Sequence, residues 1–240
     1  MKLSIKNTKL KTGPHNANYF WREWIKPFLV IALVTCAFRS TFADWNDVPT
    51  GSMKPTILEG DRVCVNKLAY DLKVPFTTTH IAAWDHPKRG EIVVFFSPHD
   101  GQRLVKRVVG VPGDTIAMRD NQLFINGESL GYESLPVLNA SRKAALNTAS
   151  SFLAQELLGD CRHPVMITPG YASRMSFAPV RVPAGQYFMM GDNRDMSFDS
   201  RYFGLVDRQR IIGRAVAVAL SFDHKNYYCP RWDRFFTGLN

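Results

Sequence analysis

Cysteine is scarce in this chain and never closely spaced. Cys36, Cys64, Cys161 and Cys229 form no C-x-x-C pair, so neither a zinc ribbon nor a thioredoxin-like motif is present. The six histidines, His15, His80, His86, His99, His163 and His224, stand in no H-E-x-x-H or G-x-S-x-G context. Nothing therefore nominates a metal site, a cofactor site or a Ser–His–Asp hydrolase. Basic stretches interleaved with aromatics are also lacking. The formal charge of +9 thus carries no nucleic-acid signature. Much of the excess lies in residues 1–26, where Lys2, Lys6, Lys9, Lys11, Arg22 and Lys26 face only Glu23. Internal repeats and low-complexity tracts are missing too.

Long apolar runs are few, and one stands out. Residues 27–43 read PFLVIALVTCAFRSTFA, with Arg39 the sole charge near the end. As a helix this segment spans roughly 26 Å, just under the thickness of a hydrocarbon core. Trp21, Trp24, Phe42 and Trp45 flank it like an aromatic belt. The reading is a transmembrane anchor, with a cytoplasmic basic tail at 1–26 and everything beyond residue 45 on the far side. A cleaved secretory signal and a buried core helix are the alternatives.

From residue 48 the texture is mostly β. Arg62–Lys67 alternates, Glu91–Phe96 is β-branched and aromatic, and Leu104–Val111, Thr115–Met118 and Leu123–Ile125 follow. Pro112-Gly113-Asp114, Asp120-Asn121 and Asn126-Gly127 supply turn chemistry between them. Gln186–Met190 and Ile211–Phe222 make later strands. Residues 139–160, rich in Ala and Leu, are expected to be helical for part of their length, within an excursion from the β core at about 128–180. A disulfide between Cys161 and Cys229 is possible if the domain faces an oxidising compartment.

Three short stretches carry the chemistry. Pro49-Thr50-Gly51-Ser52-Met53-Lys54-Pro55-Thr56 puts a serine on a Gly-containing turn. A serine hydroxyl is a poor nucleophile without a base. Leu104-Val105-Lys106-Arg107-Val108 offers one: in a strand Lys106 shares its face with Leu104 and Val108, while Arg103, Val105 and Arg107 point the other way. An apolar face is what lowers a lysine pKa, and bringing it to about 8 needs a shift of roughly 2–3 units. The third stretch is Gly191-Asp192-Asn193-Arg194-Asp195-Met196-Ser197-Phe198-Asp199-Ser200-Arg201. Alone, each of the three reads as an ordinary turn, an exposed lysine or a polar loop.

Together with the apolar segment, these stretches resemble the boxes of bacterial type I signal peptidases over most of the chain outside 128–180. That resemblance implies a mainly β, coiled, barrel-like catalytic domain over 44–240 behind one N-terminal transmembrane helix. It implies a membrane-bound serine endopeptidase that cleaves signal peptides from exported preproteins, needing no cofactor and no metal. Ser52 would be the nucleophile and Lys106 the general base. The Thr50 hydroxyl and the Ser52 N–H would form the oxyanion hole; many relatives carry serine where this chain has Thr50. Ser197 would orient the amine, supported by Asp199 and Arg201. Val48, Pro49, Met53, Ile57 and Val105 would wall shallow pockets for an extended substrate. The implied place is the inner membrane, with the N-terminus cytoplasmic, the catalytic domain extracytoplasmic and the lipid bilayer as partner. Exposed aromatics such as Trp45 and Trp84 would rest on the lipid surface. Rival readings are a conjugation-type or dedicated-substrate relative, a self-cleaving repressor with a similar β core, and a membrane-anchored β-domain that binds exported peptides without cutting them.

Overall fold

The computed structural model describes residues 20–41, 43–74, 77, 79–135, 151–171 and 173–239. The basic tail as far as residue 19, and residues 139–150 of the stretch expected to be helical, lie outside them. At the N-terminus, a π-helical turn at Trp21–Ile25 leads into an α-helix at Lys26–Thr41. Its 16 residues rise about 24 Å. Among the described residues, no helix is long and apolar enough to cross a membrane. The transmembrane expectation is therefore met only as a short, apolar N-terminal helix.

The rest is β. One sheet runs in the order Ala43–Asp47, Asp61–Asn66, Ile211–Asp223, Ile92–Phe96, Arg103–Gly110, Gln186–Met190, Val206–Asp207. Ile92–Phe96 lies in the middle of it, and its first four residues are buried. Both faces of this strand are covered, so its unbroken apolar run replaces alternation. Val93, Phe95, Val108, Tyr187, Met189, Val206 and Ile211 form one core cluster on it. Each fully buried side chain of this size contributes about 1.5–3 kcal/mol. A small sheet of Thr115–Arg119, Gln122–Ile125, Glu128–Ser129 and Phe177–Arg181 packs Ile116, Met118, Leu123 and Phe188 into a second cluster. Its hairpins turn on Asp120-Asn121 and Asn126-Gly127, all four at positive φ. Those are the residues that tolerate a left-handed backbone.

Two expectations are corrected here. Phe152–Leu158 is a strand, not a helix, paired with Gly131–Ser134 on one side and Cys161–Ile167 on the other. Gly159-Asp160 makes a two-residue hairpin turn, and the pairing on both flanks overrides the helix propensity of Ala and Leu. Cys161 and Cys229 are both free. Cys161 Sγ rests 3.9 Å from the Gly90 carbonyl, while Cys229 is exposed on a short strand at the end of Ile211–Asp223. No bridge joins them.

The main sheet curls until its parts nearly meet. Arg103 Nη1 donates to Asn46 Oδ1 at 3.1 Å and pairs with Asp44 at 3.6 Å. The edge strand Ala43–Asp47 thus faces the start of Arg103–Gly110 across a gap. Gln186–Met190 pairs with that strand only at Arg107, Val108 and Gly110. On that side Arg103–Lys106 keeps its backbone edge open.

Candidate active site

The strand Arg103–Gly110 passes from solvent to interior along its length, and Lys106 is its first buried residue. Val93 sits opposite it, in the apolar cluster that also holds Val108 and Leu104. The lysine is 2% exposed. Burial pushes its pKa down from 10.5 to about 8; Asp199 and Asp192 pull it back up, and Arg201 lowers it further. An ammonium in such a place loses hydration that no single carboxylate replaces.

Ser52 reaches the same point from the turn after the edge strand. Lys106 Nζ donates to Ser52 Oγ at 2.6 Å; when the amine is neutral, the hydroxyl donates across the same contact. Asn193 fixes this turn twice, its Nδ2 donating to the Gly51 carbonyl at 2.9 Å and its N–H to the Ser52 carbonyl at 3.1 Å. A side chain at Gly51 would strike Lys54 and Glu59. One at Gly191 would strike the Ser52 carbonyl and the Ser197 hydroxyl. Gly191 is set by close approach rather than by φ, whereas the ends of Lys54 and Glu59 near Gly51 can move aside.

The third stretch closes the site from behind. Asp199 receives Arg201 Nε at 2.8 Å, Arg201 Nη2 at 2.8 Å and the Gly191 N–H at 3.1 Å. It also caps the one-turn helix Ser200–Phe203. Ser197 is 4% exposed, and its hydroxyl has no hydrogen-bond partner among the described residues. It stands against Gly191 beside the dyad, a polar atom held dry with nothing to bond.

Thr50 is exposed on the turn. Val48, Met53 and Ile57 are buried with Val63, Ile92 and Ala215, and Val105 packs at the edge of that cluster. Pro49 is exposed. On the other flank of the turn, a cleft of about 620 Å³ is lined by Thr50, Gly51, Lys54, Tyr171 and Met196 among others.

Sequence reading missed several participants. Asp192 is held by Arg107 at 2.9 and 2.8 Å and by the Thr56 hydroxyl at 2.5 Å. Burial pushes its carboxyl up, but the Arg107 guanidinium holds it below the usual range. Arg194 binds Glu156 at 2.5 Å, and its carbonyl accepts Arg201 Nη2 at 2.5 Å. Tyr132 donates to the same Glu156 at 2.6 Å. His163, fully buried, lies 3.4 Å from Glu156 and 3.8 Å from Asp192. Asp192, Asn193 and Arg194 are visible in the third stretch. Glu156 and His163 carry no motif at all.

Residues 21–220 match the family described as signal peptidase, peptidase S26. The chain belongs to that family. It is 37% identical over 226 residues to a signal peptidase I of Pseudomonas fluorescens, covering 88% of this chain and 77% of that one. With a signal peptidase I of Pseudomonas aeruginosa the identity is 36% over 228 residues, at the same coverage. Among solved structures, a signal peptidase I of Enterococcus faecalis is 33% identical, covering 55% of this chain and 98% of that one, with a TM-score of 0.33; the likeness there is one of sequence. By its family the chain is a serine endopeptidase.

Proposed function

We propose that this chain is a membrane-anchored peptidase that removes signal peptides from exported preproteins by a Ser52–Lys106 dyad. The observation that carries the mechanism is the 2.6 Å contact between a serine hydroxyl and a lysine amine that is 2% exposed and whose pKa is brought to about 8. A base close to ambient pH, within hydrogen-bond reach of its nucleophile, is what general-base activation needs.

The substrate enters as an extended strand in the gap between Ala43–Asp47 and the open edge of Arg103–Lys106, adding backbone hydrogen bonds along that edge. Val48, Met53, Ile57 and Val105 leave room for small side chains before the scissile bond. Lys106 takes the Ser52 proton as Oγ adds to the carbonyl carbon. The developing oxyanion is met by the Ser52 N–H and the Thr50 hydroxyl. Lys106 then gives its proton to the leaving amine as the C–N bond breaks, leaving an acyl-enzyme. A water that loses its proton to Lys106 attacks the ester and frees Ser52. Ser197 turns its unpaired hydroxyl toward the amine as the lysine changes protonation state, and Asp199 with Arg201 holds that loop in place.

The apolar segment 27–43 anchors the chain to the inner membrane, with the tail on the cytoplasmic side and the β domain outside. The preprotein's own apolar segment then lies in the same bilayer, next to the site. The test is cleavage of a preprotein with alanine at −3 and −1, in detergent, by wild type, Ser52→Ala and Lys106→Ala. Cleavage at the expected bond by wild type alone is the anticipated result, and cleavage surviving either substitution removes the dyad. Protease added outside right-side-out cells reads the topology. Digestion of the β domain is expected, and its protection would reverse the orientation.

A further inference from the structure

Away from the dyad, on the far side of the sheet, a cavity of about 590 Å³ is lined by Lys67, Lys73, Arg103, Arg210, Phe96 and Ile212, among others. No carboxylate lines it. The acids nearby pair with the cations. Asp44 pairs with Lys67 at 3.3 Å and Arg103 at 3.6 Å. Asp71 pairs with Lys73 and Arg208, each at 2.6 Å, and Asp207 with Arg210 at 3.9 Å. Four lining cations, Lys67, Lys73, Arg103 and Arg210, thus stand against three carboxylates, none of which lines the cavity among the described residues. Arg103 also lies over the Phe96 ring at 5.7 Å, and Lys73 donates to the Ile212 carbonyl at 3.2 Å. These side chains are therefore held in place by protein contacts before any ligand arrives, around a partly apolar lining.

Position supplies the occupant. The N-terminal helix ends at Thr41, and Asp44, which holds both Lys67 and Arg103, comes three residues later. Three residues reach at most about 10 Å. The headgroup layer of a bilayer is roughly 5–7 Å deep on each side of the hydrocarbon core. If the helix ends at the hydrocarbon boundary, the cavity wall lies at headgroup level or just beyond it. We propose that this cavity binds the phosphodiester headgroup of an anionic phospholipid, which rests on the membrane-anchor reading above. Two guanidiniums and two ammoniums suit phosphate oxygens, while Phe96 and Ile212 suit the glycerol end of a lipid. Seating a headgroup there would fix the rotation of the β domain about its anchor and so the height of the catalytic gap above the membrane.

The test uses the full chain purified in an uncharged detergent. Calorimetric titrations compare water-soluble dihexanoyl phosphatidylglycerol, dihexanoyl phosphatidylcholine and inorganic phosphate. The phosphatidylglycerol is expected to bind at least about tenfold more tightly than either of the others, and each arginine removed is expected to cost roughly fivefold, so Arg103→Gln with Arg210→Gln loses about 25-fold. Equal binding of the two lipids, or unchanged binding by the double variant, would overturn the proposal. Inorganic phosphate binding as tightly as the lipid would also overturn it, in favour of a free-anion site. Should the double variant not fold, Arg210→Gln alone and the salt dependence of the wild type decide. Affinity that ignores added salt would again refute an electrostatic headgroup site. Preprotein cleavage in the same detergent without lipid reports separately on the peptidase reading.

Discussion

Replacing Lys106 by methionine should make the protein inactive and, at neutral pH, more stable. The side chain is 2% exposed and its pKa falls from 10.5 to about 8, chiefly through burial. Below about pH 8 both folded and unfolded chains carry the proton, and the folded state bears the full cost of a buried ammonium. Above 10.5 neither carries it, and the cost is gone. Between those values the unfolded chain binds more protons, so wild-type stability rises with pH. At about 1.4 kcal/mol per pKa unit, the whole shift is worth roughly 3 kcal/mol, and about 2 kcal/mol of it is recovered between about pH 7 and pH 9.5. Methionine has a similar volume and no charge, so Lys106→Met should exceed wild type by up to roughly 3 kcal/mol at pH 7, less what the lost Ser52 contact contributes. The difference in stability between the two proteins should shrink by about 2 kcal/mol by pH 9.5. The assay is urea unfolding of both at a series of pH values, read by tryptophan fluorescence. A stability difference that does not change with pH would show that the lysine titrates normally and would remove the physical basis of the base assignment. Activity gives the matching reading. Wild-type kcat/KM should climb roughly tenfold from about pH 7 to pH 9, with its half-point near 8. A flat profile over that range would refute the same argument.

Other outcomes follow from particular contacts. Gly191→Ala places a methyl against the Ser52 carbonyl and the Ser197 hydroxyl. It should cost about 1–3 kcal/mol in thermal unfolding and most of the activity; a neutral effect would mean the turn can shift freely. Ser197→Ala removes a buried hydroxyl that has no hydrogen-bond partner among the described residues, so stability should hold or rise by up to about 1 kcal/mol. Cleavage of the preprotein should nonetheless fall by at least about tenfold if that hydroxyl orients the amine. Burial pushes the Glu156 carboxyl up, but Arg194 pulls it far below the usual carboxylate range. Its contribution is therefore fully present above the ordinary carboxylate pKa and is lost progressively as the pH falls from there toward the depressed value. Glu156→Gln leaves Arg194 buried without its counter-charge and should cost about 3–5 kcal/mol in urea unfolding at neutral pH. Free thiols at Cys161 and Cys229 predict that mass spectrometry of the alkylated, unreduced protein finds both residues modified. A Cys161–Cys229 bridge would contradict this.

Much of this molecule was already legible along the chain. The strand Arg103–Gly110 and its neighbour Ile92–Phe96 read directly from their apolar, β-branched runs. The hairpins at Asp120-Asn121 and Asn126-Gly127 read from residues that accept positive φ. Ser52 and Lys106 were nominated by the resemblance of their stretches, taken together, to the family's boxes; neither local setting would have singled them out alone. What the chain could not show was set by distance in sequence. Ser52 and Lys106 are 54 residues apart, and only the curl of the sheet brings Oγ to within 2.6 Å of Nζ. Composition misled at Phe152–Leu158, because pairing with two flanking strands outweighs the modest helix preference of Ala and Leu. Glu156 and His163 became part of the site's support only through that pairing. Local sequence determined which groups can do chemistry and where the chain turns. Tertiary structure alone decided which of them are dry, and dryness is what makes a lysine a base.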